Sequence, residues 1–197
     1  MNLTETTTLT SADFPVAEFG EHMRLGSGFA DDGGQNALLE SCLRAAMGAI
    51  EARTGKILIA RSFDWRVYIW RREDGGQALP VSPVNAITQL IIYQAKGSPT
   101  YINSTLFGLV PDIQRPRLVA LEGELPEIPE YGSAQVSFDA GYGIWEDIPS
   151  ALKQAVFLLA ATYYEHRDEM VAKAGQMPFG VMALIEPYRR LRLGGAA

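Results

Sequence analysis

Residues 36–69, NALLESCLRAAMGAIEARTGKILIARSFDWRVYI, change hydrophobic period in mid-course, and that change decides the fold class. Up to Arg53, Leu39, Leu43, Ala46 and Ile50 recur at four-three-four spacing, which lays them along one stripe of a helix. Asn36 is placed to cap this helix. Gly55 suits the left-handed position that follows a helix end. Beyond it, Ile57, Ile59, Phe63, Trp65, Val67 and Ile69 take odd positions with mostly polar residues between them, the pattern of a long half-buried strand. Cys42 lies near the helical stripe and reads as a small core residue.

Working outward toward the N-terminus, GSGFADDGG (26–34) is a loop. Its glycines follow no apolar strand, so a phosphate cradle is not indicated, and its acids lack the alternation and closing glutamate of a calcium loop. Phe14, Val16, Phe19, Met23 and Leu25 suggest a short helix over 13–25 that tolerates Gly20. The Thr-rich residues 1–12 read as an extended or mobile arm. Toward the C-terminus, Asp74-Gly75-Gly76 turns the chain, and Pro80 and Pro83 mark an extended edge. Strands follow over Ile87–Tyr93, Tyr101–Val110, Arg117–Leu121 and Ser133–Phe138. Glu122, Glu124, Glu127 and Glu130, interleaved with Pro126 and Pro129, form an acidic loop that reads as a solvated hairpin tip. A second long helix, capped by Asp147 or Ser150, carries Leu152, Val156, Leu159, Tyr163 and His166 on one face to about residue 167. A linker over 175–178 and a last short helix, Val181–Glu186, lead to the tail PYRRLRLGGAA.

These elements predict an α+β fold: a helical bundle of four helices with an antiparallel β module inserted between the second and third main helices. One domain is expected, organised as arm (1–12), helical (13–55), β (57–140), helical (147–186) and tail (187–197).

With 17 Lys+Arg against 23 Asp+Glu, the 197-residue chain carries a net charge of −6 and lacks the basic excess that general duplex binding requires. One cysteine and two histidines, His22 and His166, are too few for a disulfide framework or most zinc sites, so no metal or cofactor is expected. The start MNLTETTT is no signal peptide, and the apolar run 155–161 is far short of the ~20 residues of a membrane span, so cytoplasmic synthesis is expected. The best catalytic candidate is Tyr163, Tyr164, Glu165 and His166, but no second segment supplies a partner, and His166 suits the negative end of a helix. Nucleophile-elbow, Walker, CxxC and HExxH motifs are missing. The residues point to a protein that works through surfaces.

FDAGYG (138–143), DIP (147–149), LKQA (152–155) and YYEHR (163–167) then appear in order, followed by PFGV (178–181) and LIEPYRR (184–190). In this order and spacing they resemble the phage head–tail connector family, the adaptor or head-completion proteins of long-tailed phages. Upstream, AE (17–18) with HMRL (22–25), EARTG (51–55) and LPVSPV (79–84) extend the resemblance to three quarters of the chain. Length and terminal pattern are most similar to the adaptor of gene transfer agents, the phage-like particles made by some bacteria.

The resemblance implies a virion protein that forms a ring, usually dodecameric, beneath the portal. Such a ring joins portal to stopper or tail-completion protein and continues the DNA channel. Double-stranded DNA passes through it without specific binding, which suits an acidic chain. It also implies portal docking by Tyr188, Arg189, Arg190, Leu191, Arg192 and Leu193. For Glu122, Glu124, Glu127 and Glu130, facing the channel or the stopper is the functional alternative to a solvated hairpin tip. Two other classes stay open. One is a small enzyme or ligand-binding domain using Trp65, Tyr68, Trp70 and Tyr93. The other is a single-strand binder using those rings with Arg61, Arg66, Arg71 and Arg72.

Overall fold

The computed structural model describes residues 2–24, 33–73, 75–166 and 177–189. These residues have the α+β arrangement the sequence predicts: among them are four helices, with antiparallel sheets inserted between the second and third. The chain divides into two compact units, Met1–Leu9 with Ala60–Tyr142, and Thr10–Ile59 with Gly143–Ala197.

The first unit holds the sheets. A five-stranded antiparallel sheet runs in the order β1 (Asn2–Glu5), β2 (Arg61–Val67), β9 (Ser133–Ala140), β5 (Val84–Tyr93), β6 (Thr100–Tyr101). A smaller sheet runs β3 (Arg72–Glu73), β4 (Gly76–Ala78), β8 (Arg117–Ala120), β7 (Phe107–Val110). Strict alternation in β9 buries Ala134, Val136, Phe138 and Ala140 on one face. Phe63 lies directly opposite Phe138, with ring centroids 5.8 Å apart. The other face is polar: the Ser62 hydroxyl donates to Asp139 and the Ser137 hydroxyl to Asp64, both at 2.6 Å.

Three expectations change here. The start of the Thr-rich arm is a paired strand, because Leu3 has Trp65 to lie against across the β1–β2 register. The expected strand 57–69 is shorter, since the alternation serves two cores in turn. Ile57 and Ile59 are buried in the helical unit, where Ile59 bridges Gly143, whereas Phe63 and Val67 are buried in the sheet. Ile69 lies beyond the last cross-strand pair, Val67 with Ala134, and is 72% exposed. The expected strand 101–110 is broken because Asn103 accepts a hydrogen bond from the Thr105 N–H (3.0 Å) and caps a tight helical turn over Ser104–Leu106.

The second unit packs α1 (Val16–His22) on α2 (Gly33–Thr54), α2 on α3 (Ser150–Glu165), and α3 on α4 (Phe179–Ile185). The stripes expected to form the core do so through Leu39, Leu43, Ala46, Ile50, Leu152, Val156 and Leu159, all buried, as is Cys42, whereas Tyr163 is half-buried and His166 at the end of the second stripe is exposed. Phe157 joins Phe19, His22 and Trp145 in a ring cluster with centroids 5.2–5.6 Å away. Helix starts differ from expectation. α2 begins a turn upstream of Asn36, where Gln35 donates to the Tyr164 hydroxyl at 3.2 Å. Asp13 accepts from the Thr10 N–H and hydroxyl, and this turn followed by Pro15 delays α1 to Val16.

The cap of α3 is Pro149. Its carbonyl accepts from Leu152 and Lys153, while Asp147 instead closes the preceding turn through the Ile144 N–H. Gly143 is left-handed (φ 136°), and a Cβ there would strike the Asp147 carboxylate. Among the described residues no helix is long and apolar enough to cross a membrane.

Candidate partner-docking surfaces

The acidic loop joins β8 to β9, and its four glutamates are exposed. It is nevertheless held at two points. Leu125 is buried, and the Trp70 indole N–H donates to the Pro126 carbonyl at 2.8 Å. Alternating proline prevents further pairing of this stretch. The loop is thus a fixed platform with its glutamates exposed.

The residues expected to dock begin in a tight turn, Glu186–Tyr188, that follows α4 directly. Pro187 lies in the first turn, where its missing N–H does least harm. Tyr188 is half-buried, and the Arg189 guanidinium meets both Glu186 carboxylate oxygens at 2.8 and 3.1 Å. Arg190, Leu191, Arg192 and Leu193 lie outside the described residues.

The candidate catalytic residues do not converge. Tyr164 accepts from Gln35, Tyr163 is half-buried in α3, and His166 is exposed at the helix end. Burial raises the Tyr163 pKa above its ordinary value, which keeps the phenol neutral. The rings of the β module are engaged separately. Trp70 is tied to Pro126, and Tyr93 lies beneath the Arg66 guanidinium at 4.6 Å and donates to Gln135 at 3.3 Å. Two of the arginines considered for strand binding are likewise committed within the sheet. Arg61 pairs with Glu5 at 3.1 Å, and Arg66 donates to Gln135.

A cavity of about 330 Å³ lies in the helical unit, walled by Phe14, Pro15, Ile59, Ile144 and Trp145. Its Glu18 accepts from the Trp145 indole at 3.2 Å. It offers rings and carboxylates but no nucleophile paired with a base. Among the described residues no three His, Cys, Asp or Glu side chains group as metal ligands.

Tyr131 escaped the sequence reading. It is 87% exposed at the end of the acidic loop and takes a left-handed backbone, φ 59°. Proline two residues before it and glycine after it (Pro129, Gly132) were the available signal of a turn.

No protein-family model and no curated protein matches the sequence. Solved structures do. The chain is 48% identical, with a TM-score of 0.88, to a chain in the neck of an empty gene transfer agent (GTA) particle computed with C6 symmetry. It is 48% identical (TM-score 0.85) to one in the virion of a native GTA particle. It is 44% identical (TM-score 0.83) to one in the neck of a native GTA particle computed with C12 symmetry. In each case all of this chain and 99% of the other are covered.

Proposed function

The chain belongs to the neck proteins of gene transfer agent particles, and we propose that within such a neck it is the adaptor: a structural subunit, not an enzyme, whose copies form a ring beneath the portal. The observation that carries this is full-length likeness at 48% identity to a neck chain. Particle necks computed with C6 and C12 symmetry support a cyclic oligomer, in this proposal one of twelve copies. A cyclic ring needs two different surfaces per subunit, each meeting the other's counterpart on the next copy.

In this reading Tyr188, Arg189, Arg190, Leu191, Arg192 and Leu193 dock on the portal. Tyr and Arg are the residue types that most often anchor interfaces. The far side of the ring meets the stopper or tail-completion protein, and the bore continues the DNA channel. Net charge −6 suits that bore, because phosphates slide past a wall that offers them few cations.

The test is removal of this chain from a producing cell. Filled heads bearing portal but lacking tail, with tails restored on re-expression, are expected. Intact tailed particles without the chain would refute the adaptor reading.

A further inference from the structure

Antiparallel pairing of β2 with β9, ending at Val67 opposite Ala134, brings the residues after β2 and before β9 out at the same end of the sheet. Three large side chains stand there in solvent: Tyr68 at 61%, Ile69 at 72% and Tyr131 at 87% exposure. Single exposed apolar residues are ordinary; three gathered at one end of a sheet are not. Tyr131 adds strain to exposure. The Gly132 N–H closes a turn on the Pro129 carbonyl at 2.8 Å, and Tyr131 within it has φ 59°, a conformation that side chains other than glycine and asparagine rarely adopt. Its ring recovers no burial in this chain for that strain. Gly132 in turn has no room for a side chain, since a Cβ would lie 2.5 Å from the Tyr93 carbonyl.

The surroundings suit a partner. The loop is pinned by Leu125 and by the Trp70–Pro126 hydrogen bond, so little ordering remains to be done on binding. Residues 121–131 contain four glutamates and no lysine or arginine. An aromatic centre with a charged rim is the anatomy of a protein interface. Four carboxylates oppose DNA and anionic lipid alike, and two copies meeting tip to tip bring like charges together.

We propose that Tyr68, Ile69 and Tyr131 form a docking surface for a different protein of the particle, one presenting an apolar depression rimmed by lysine or arginine. This rests on the neck reading above, and it assigns the glutamates to a protein partner instead of the DNA bore.

The test measures the full-length chain against each of the other purified neck and tail proteins of the same particle, with melting temperature in parallel. Tyr131→Ala is expected to weaken binding to one of them by about tenfold or more. Tyr131→Gly is expected to raise the melting temperature by relieving the backbone while still losing that binding. A tyrosine with only a structural role cannot move those two readouts in opposite directions. Replacing Glu124, Glu127 and Glu130 by Gln flattens the salt dependence of the same interaction. Tyr131→Gly binding every protein as wild type does, in particles that contain the wild-type chain, overturns the surface alone. Loss of self-association in Tyr131→Ala in place of partner binding overturns it too, in favour of a second copy. Wild-type chain absent from particles overturns the neck reading and the surface with it.

Discussion

Leu159 is 1% exposed, in mid-stripe between Val156 and the half-buried Tyr163 on the face that α3 turns to its neighbours. Truncation to Ala leaves a hole that the surrounding helices only partly refill, so Leu159→Ala should cost about 2–5 kcal/mol in urea unfolding. A change of a few tenths would mean that this stripe is not a core. Glu40 gives a test of sign. Its carboxylate is held below its ordinary value of 4.5, first by a hydrogen bond with Ser11 and then by Arg44 at 2.7–2.8 Å. A depressed carboxylate stabilises above its unfolded pKa and loses that contribution as pH falls through the folded value. Thermal melts from pH 6 down to about pH 3 should therefore fall less steeply for Glu40→Gln than for wild type, by a small margin because the pair is near water. Core positions such as Leu159 were legible because burial follows period. Tyr131 was not, because an exposed residue in a strained turn leaves no periodic trace.

Elements follow the same division. α2 and α3 were placed from their apolar stripes, and β9 from its alternation. Ends depend on particular hydrogen bonds that carry no period: Gln35 meets Tyr164, 129 residues away, in the first turn of α2, and Asn103 with Thr105 cuts a strand in two. The acidic loop was readable as a loop from its prolines, whereas its anchorage through Trp70 and Leu125 depends on partners far off in sequence. That anchorage has a consequence. Since Leu125 and the Pro126 carbonyl hold the loop while the glutamates are exposed, Glu124, Glu127 and Glu130 replaced together by Gln should leave the melting temperature within a degree or two, because exposed pairs contribute little. Particle assembly or DNA delivery should fall at the same time. Unchanged transfer would reduce the loop to a solvated hairpin tip.

At the scale of the whole molecule, the proposed ring requires each subunit to hold its own fold while offering separate surfaces to its neighbours. The tail is the segment whose composition fits only the second task. Pro187 ends α4, and the short turn Glu186–Tyr188 hands the chain to a stretch alternating Arg with Leu. Arginine there can pair with Glu186 within the chain, as Arg189 does, or with carboxylates of a partner. An exposed pair of this kind contributes little to stability, so exchanging one for the other costs little. Deleting residues 187–197 should accordingly leave the fold and its melting temperature close to wild type, while attachment to portal-bearing heads is lost. Reversing charge at Arg189 and Arg190 should weaken attachment in a way that depends on salt. Such attraction is felt over roughly 10 Å at 0.1 M salt and roughly 3 Å at 1 M, so the gap between wild type and the reversed variant should shrink as salt rises. Sedimentation of labelled chain with purified heads across that range measures both effects. If truncated chain still saturates heads at normal affinity, docking lies on the helices, where α4 carries the 89% exposed Phe179 as the next residue to change.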